Sequence, residues 1–177
     1  MVKHFGKYIL LGLFFIAALI LFMPKSSFYF LAEKEMQKFG FVISNEKLEE
    51  NFLTLNIRDL DITLKGVQSA KVESVDMTFL LLYNSIEAKN IELSSIVDSF
   101  MPTEIKHLRL FYTPFSLFTL KGEAEGEFGR AVVEVDISRR SVKLFLKPSK
   151  IMMRQYGRSL RYFKRNKQGE YIYEKAL

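Results

Sequence analysis

The feature that most constrains this chain is an uncharged run near its start, from Tyr8 to Met23, which reads YILLGLFFIAALILFM. As a helix this run would be about 24 Å long, at the short end of what crosses the hydrocarbon core of a bilayer. The predicted membrane-anchor side chains are Tyr8, Leu11, Phe14, Phe15, Ile16, Leu19, Leu21 and Phe22. The sequence therefore predicts one N-terminal membrane anchor within residues 1–24.

The residues that flank this run predict its orientation. Lys3 and Lys7 precede it, and the positive-inside rule then places the N-terminus in the cytoplasm and everything after Pro24 on the far side of the membrane. A cleaved signal peptide is the alternative, but its apolar part is usually about 7 to 15 residues long and ends in small residues. Here Phe22-Met23-Pro24-Lys25 stands at that position, which favours a retained single-pass anchor. The domain that follows is exported in either case.

The length and composition of the rest predict one folded domain. The chain has 177 residues, which leaves about 150 after the anchor, enough to bury a core. It contains 17 Phe and 8 Tyr, too aromatic a composition for a disordered protein. Because it has no cysteine, disulfides, thiol nucleophiles and zinc–thiolate sites are excluded.

Residues 25–40 predict a short amphipathic helix. Ser26 and Ser27 are suited to cap its start, and Gly40 is a natural stop. Phe28, Leu31 and Phe39 follow helical spacing. We expect these side chains to pack on the domain core or, alternatively, to lie at the bilayer interface.

Residues 41–177 predict a mainly β domain with a weak internal repeat. The pattern apolar-x-x-apolar-x-apolar recurs at starts 15, 16 and 17 residues apart, in Ile57–Ile62, Val72–Met77, Ala88–Leu93 and Ile105–Leu110. Alternation of this kind is typical of half-buried strands, and the change of phase predicts a bulge or bend at the two central polar residues. The expected fold is a curved, antiparallel-rich sheet, either open or closed like a jelly roll, preceded by the membrane helix and the amphipathic helix.

The C-terminal third predicts two hairpins and a short helix. Glycines at 122, 126 and 129 precede a hairpin over Ala131–Leu146, which Pro148 ends. A helix then extends from about residue 150 to Gly157, and a final hairpin turns around Asn166–Gly169.

The segment 150–167 is basic, because it contains seven Lys or Arg residues and no acid. Its candidate contact residues are Arg154, Arg158, Arg161, Lys164 and Arg165. Anionic lipid headgroups or an acidic protein partner would suit this patch, and a plain solvated face explains it equally well. Export argues against nucleic acid as a partner.

A surplus of large apolar residues on both faces of two predicted strands suggests a groove. The candidate groove residues are Phe79, Leu81, Leu110, Tyr112, Phe115 and Leu117. Coverage of this face by the amphipathic helix is the competing explanation.

The chain offers little material for catalysis. Its two histidines, His4 and His107, fall on opposite sides of the predicted anchor, and no metal or cofactor motif is present, so no cofactor is expected. Glu123, Glu125 and Glu127 would share one strand face about 6 to 7 Å apart. That spacing suits a cation or an acid–base pair, although a solvated face is simpler. An exported hydrolase that uses Glu123 and Glu127 is therefore the rival from another functional class.

The order of these parts resembles the type II secretion system protein N family and, more distantly, AsmA-type envelope proteins. The resemblance lies in the helix ending at Met23-Pro24, the helix to Gly40, strand units such as Leu55–Leu60, and Gly122–Gly126 leading to Val142–Ser149. It implies a non-enzymatic inner-membrane protein with a periplasmic domain, linked to secretion or to lipid transport between membranes. One membrane helix followed by a β domain also resembles the lipopolysaccharide-transport component LptC. The leading hypothesis is an accessory envelope protein whose apolar sheet face binds lipid or a secretion partner.

Overall fold

The computed structural model describes residues 2–80, 83–113, 116 and 118–176, with the side chains of residues 2–5 and 20 left out of the description. The helices are α1 (Val2–Phe22), α2 (Lys25–Gln37) and α3 (Lys150–Gln155), with 3₁₀ helices at Ser95–Val97 and Ser159–Tyr162. The strands are β1 (Phe41–Ser44), β2 (Lys47–Glu50), β3 (Thr54–Leu64), β4 (Val67–Phe79), β5 (Asn84–Leu93), β6 (Glu104–Tyr112), β7 (Thr119–Gly126), β8 (Gly129–Asp136), β9 (Ser141–Pro148), β10 (Lys164–Arg165) and β11 (Tyr171–Ala176).

These strands form one open, antiparallel sheet of 11 strands in the order β1-β3-β4-β5-β6-β7-β8-β9-β11-β10. Strand β2 lies on the same side of β3 as β1, where β1 pairs the second half of β3 and β2 pairs the first half. The mainly β, antiparallel prediction is thereby confirmed, and the open form is the one present. Among the described residues, no helix is long and apolar enough to cross a membrane. The spanning helix predicted within residues 1–24 is therefore not confirmed.

The internal repeat produces a line of irregularity across four neighbouring strands, as its phase change predicts. Asp59 in β3 and Asn90 in β5 adopt left-handed backbone conformations, with φ of 59° and 52°. The regular pairing skips these residues together with Glu73 in β4 and Lys106 in β6. Asn90 Nδ2 also donates a hydrogen bond of 2.6 Å to Glu73 Oε2. We call this row the fold line.

The apolar positions of the repeat form the first core. Register places Ile57, Val75 and Ala88 in one row on one face of the sheet, because each is the direct neighbour of the next. The buried members of this core are Tyr29, Leu55, Ile57, Leu60, Ala70, Val72, Val75, Ala88 and Ile91. Tyr29 belongs to α2, so this helix covers the first core from the β3 edge.

The face of α2 that contacts this core differs from the predicted one. Phe28, Leu31 and Phe39 are 42%, 58% and 72% exposed, whereas Lys25 and Tyr29 are 1% and 4% exposed. The expected core packing of the three residues is therefore wrong, although the Phe28 ring still lies 6.3 Å from that of Phe79. Their alternative place at a bilayer interface stays a prediction.

The physical reason is a cap from another element. The backbone N–H groups of Lys25 and Ser26 donate hydrogen bonds of 2.9 and 3.2 Å to the two carboxylate oxygens of Glu50 in β2. Pro24 at the N-cap position makes no side-chain cap, so the predicted serine cap is wrong. Satisfying free helical N–H groups with a β2 carboxylate fixes the rotation of α2 on the sheet and directs Tyr29 inward.

The C-terminal third has the predicted hairpins. Strands β8 and β9 pair from Gly129↔Pro148 to Asp136↔Ser141, and β10 pairs β11 around the turn at residues 166–169. The intervening helix ends at Gln155, slightly earlier than predicted, and a 3₁₀ helix follows.

Candidate functional site

One apolar row extends from the first core into the C-terminal half of the sheet. Strand register continues the row from Ala88 through Leu108, Ala124 and Ala131 to Leu146. Because side chains alternate across a strand, all of these residues lie on the same face. The face that buries the first core is thus apolar across most of the sheet.

An apolar cavity of about 430 Å³ lies on this face at its C-terminal end. The strand residues that line it are Ile105, Ala124, Ala131, Leu144 and Leu146, with Phe128 from the β7–β8 turn. The small side chains of Ala124 and Ala131 leave space where a larger residue would fill the core. The cavity size lies within the range of about 300–1,000 Å³ found for small-molecule sites.

Two separate segments cover this cavity, and we call residues 98–101 and 152–163 the roof segments. The first contributes Phe100 and Met101, and the second contributes Met152, Ser159, Tyr162 and Phe163. Met152 is 4% exposed, whereas Phe100 and Tyr162 are 61% and 78% exposed. The Phe100 and Tyr162 rings therefore reach from the cavity to solvent and mark its mouth.

A side-chain hydrogen bond connects the two roof segments. Tyr156 Oη donates to Asp98 Oδ1 at 3.1 Å. Desolvation, followed by the Asp98 hydrogen bond and charge, raises the pKa of the Tyr156 hydroxyl. Ser149 Oγ caps α3 by accepting a 3.0 Å hydrogen bond from the Met152 N–H. The roof is thus attached to the fold by hydrogen bonds as well as by apolar packing.

The predicted basic patch lies beside this cavity. Arg158 and Arg161 are exposed and flank Ser159 and Tyr162, which line the cavity. Arg158 is the N-cap residue of the 3₁₀ helix, and its carbonyl oxygen accepts a 3.3 Å hydrogen bond from the Arg161 N–H. Because residues three apart in a 3₁₀ turn are stacked on one side, the two arginines form one adjacent pair.

The remaining patch residues, Arg154, Lys164 and Arg165, are also exposed. The Arg165 guanidinium lies 5.8 Å from the centre of the Tyr171 ring. A cation–aromatic contact therefore already engages Arg165.

The predicted groove residues lie apart from the cavity. Phe79, Leu110 and Tyr112 occupy the apolar face, and each is half-buried. Leu81, Phe115 and Leu117 fall outside the described residues. The sequence reasoning followed large side chains and so missed the small ones that leave the cavity open.

The predicted anchor residues are exposed or nearly so on α1. Their exposed fractions are Tyr8 70%, Leu11 60%, Phe14 71%, Phe15 62%, Ile16 39%, Leu19 56%, Leu21 41% and Phe22 82%. Ile9, Leu10 and Leu13, also exposed, occupy the side of α1 that these positions leave open, so apolar side chains surround this part of the helix.

The candidate carboxylates do not form a three-residue cluster on one strand. Glu123 and Glu125 share the polar face of β7, but Glu127 lies in the turn after it. Glu123 Oε2 is 3.2 Å from Arg130 Nη2, and Glu125 is in register with His107. In the described part of the chain, no group of three or more His, Cys, Asp or Glu residues could hold a metal ion.

A larger cavity of about 680 Å³ follows the fold line, but its lining is largely polar and charged, and several of these groups already have partners. Lys47 Nζ lies 2.8 Å from Asp59 Oδ2, and its hydrogen bond and charge lower the pKa of Asp59. Asn45 Nδ2 donates a hydrogen bond of 2.6 Å to Asp61 Oδ2. We therefore regard the smaller, roofed apolar cavity as the candidate functional site.

Comparison with protein-family models, with curated proteins and with solved structures gave no significant match to this chain. The resemblance to secretion and envelope proteins therefore stays a prediction from the sequence.

Proposed function

We propose that this protein is a membrane-anchored, non-enzymatic envelope protein that binds lipid acyl chains on the apolar face of its sheet. The observation that carries the proposal is the roofed cavity of about 430 Å³, which apolar side chains line and which opens at Phe100 and Tyr162. Because its lining is apolar, the cavity would offer few hydrogen-bond partners to any water inside it. An acyl chain replaces that water without any unsatisfied polar group.

The chemistry of α1 supports the anchor. Within this helix the uncharged part, Tyr8–Phe22, rises about 22 Å at 1.5 Å per residue, less than a bilayer core of about 30 Å, so the apolar character of α1 supports the anchor rather than its length. A helix that is hydrophobic all round needs an apolar environment, which a membrane supplies. With Lys3 and Lys7 on the cytoplasmic side, the sheet would lie in the periplasm, attached to the inner membrane.

A lipid ligand also fits the lipid-transport role that the sequence resemblance implies. A protein of this kind would shield acyl chains from water between the membranes, as an accessory to lipid transport. The LptC-like alternative differs only in the lipid, lipopolysaccharide, so cross-linking with that lipid would separate the two. The hydrolase alternative has less support, because Arg130 already pairs with Glu123 and because Glu127 lies off the strand.

A secretion-system partner is the second candidate, and the open edge of the sheet favours it. β10 pairs β11 only at Tyr171 and Ile172. Beyond Ile172, the outer edge of β11 has no neighbouring strand among the described residues. An exposed edge of this kind can accept a strand from another protein. Cross-linking from Glu174 to secretion proteins in cells would support this candidate.

The lipid proposal is tested by photocross-linking in intact membranes with the full chain. A photoreactive phenylalanine analogue replaces Phe100 at the cavity mouth or, as a control, Ile137 in the β8–β9 turn, where the exposed fraction is a similar 58%. We expect lipid adducts at position 100 in excess of those at position 137, as measured by mass spectrometry of the purified protein.

A cavity-filling variant sharpens this test. Ala131→Leu adds volume inside the cavity, whereas Val132→Leu adds it on the opposite face of the same strand. We expect Ala131→Leu to remove most of the adduct at position 100 and Val132→Leu to retain it, with both variants checked for folding by circular dichroism. Equal adducts at positions 100 and 137, or an adduct that persists in folded Ala131→Leu, would contradict the proposal.

A further inference from the structure

The cavity mouth combines apolar rings with positive charge. Tyr162 and Phe100 border the opening. Arg161 lies in the same short 3₁₀ helix as Tyr162, and Arg158 is the N-cap residue of that helix, one turn earlier. The ligand of an apolar cavity needs no charge, so the arginine pair is explained by a group bound at the mouth, by the fold itself or by plain solvation of an exposed face.

The fold offers no such explanation within the described residues. The ion pairs among these residues involve other cations, and neither Arg158 nor Arg161 lies within 4.0 Å of a carboxylate oxygen of a described residue. The segment from Lys150 to Lys167 also contains no acid that could neutralise them. On the polar face, by contrast, Arg109 and Arg130 each pair with a glutamate.

We infer that the cavity selects anionic phospholipids, holding an acyl chain inside while Arg158 and Arg161 bind the phosphate of the headgroup. This inference rests on the proposed function and adds the class of lipid. Guanidinium groups bind phosphate oxygens through paired, charge-assisted hydrogen bonds. A net negative headgroup retains its attraction to the pair, whereas the choline of a zwitterionic headgroup offsets it.

The test measures binding of two lipids that differ only in headgroup charge. Because the chain contains no tryptophan, Phe100→Trp gives a single fluorescent reporter at the cavity mouth. The full chain, held in amphipol, is titrated with dioctanoyl phosphatidylglycerol or with dioctanoyl phosphatidylcholine at low ionic strength. We expect tighter binding of phosphatidylglycerol, and we expect added salt to weaken this binding.

Charge variants then locate the headgroup. Arg158→Gln/Arg161→Gln should weaken phosphatidylglycerol binding by about 30-fold, from about 1 kcal/mol per basic residue, and should change phosphatidylcholine binding little. The matched control, Arg139→Gln/Arg140→Gln, removes two exposed arginines from the β8–β9 turn and should change neither affinity more than about twofold. Arg158→Lys/Arg161→Lys should retain most of the preference, which also shows that the region still folds.

The outcomes separate the two proposals. Equal affinity for both lipids, or an unchanged preference in the folded glutamine variant, would overturn the headgroup inference while leaving acyl-chain binding in place. A chain that binds neither lipid, together with absent cross-links at position 100, would overturn the proposed function and this inference with it.

Discussion

Replacing Ile57 with alanine should strongly destabilise the sheet. Ile57 is 0% exposed and lies in the first core, in register with Val75. The substitution removes three carbon atoms, about 0.8 kcal/mol each, which gives a transfer loss of about 2.4 kcal/mol. The void that remains adds to this loss, so we expect a decrease of about 3–4 kcal/mol in the free energy of unfolding, within the range of about 2–5 kcal/mol typical of such changes.

The assay is urea unfolding of the full chain in detergent micelles, followed by far-ultraviolet circular dichroism. Ile137→Ala is the matched control, because Ile137 is 58% exposed in the β8–β9 turn and should lose less than about 0.5 kcal/mol. The slope of the free energy against urea should be the same for both variants and the native chain. A loss of less than about 1 kcal/mol for Ile57→Ala, comparable with the control, would refute the assignment of the repeat to the core.

Two further predictions concern the links that hold α2 and the roof segments. Hydrogen bonds from Ser26 and then Lys25 of α2 lower the pKa of the Glu50 carboxyl group. The stability that Glu50 contributes is therefore fully present above the ordinary pKa of 4.5, and it is lost as the pH falls through the lowered pKa of the folded state. Glu50→Gln should therefore flatten the acid side of the stability–pH curve, as measured by thermal unfolding, whereas Glu49→Gln should leave that side unchanged. Tyr156→Phe removes the hydrogen bond to Asp98 and should accelerate hydrogen exchange in both roof segments but not in the β3–β5 strands. Unchanged exchange in the roof segments would show that apolar packing alone holds them.

Local sequence determined the strands and the fold line. Alternation of side chains is a property of neighbouring residues, so the four repeat units specify strands without reference to the rest of the chain. The central polar pairs include Asp59 and Asn90, residue types that tolerate a left-handed backbone better than most others, and both adopt it. The strands and the fold line could therefore be predicted from the residues alone, whereas the choice between an open and a closed sheet came from the tertiary structure.

The contact face of α2 and the cavity depended on tertiary structure. The Glu50 carboxylate accepts a hydrogen bond from the backbone N–H of Lys25 in α2, and the two residues are 25 positions apart in the sequence. No local pattern could therefore indicate which side of α2 meets the sheet. The cavity needs Ala124 and Ala131 to be in register beneath roof segments from two distant parts of the chain. Unfilled space is a property of how separate segments meet, whereas sequence patterns record only which side chains are large. The sequence thus determined the apolar face and the positive charge, and only tertiary packing placed the two beside one cavity.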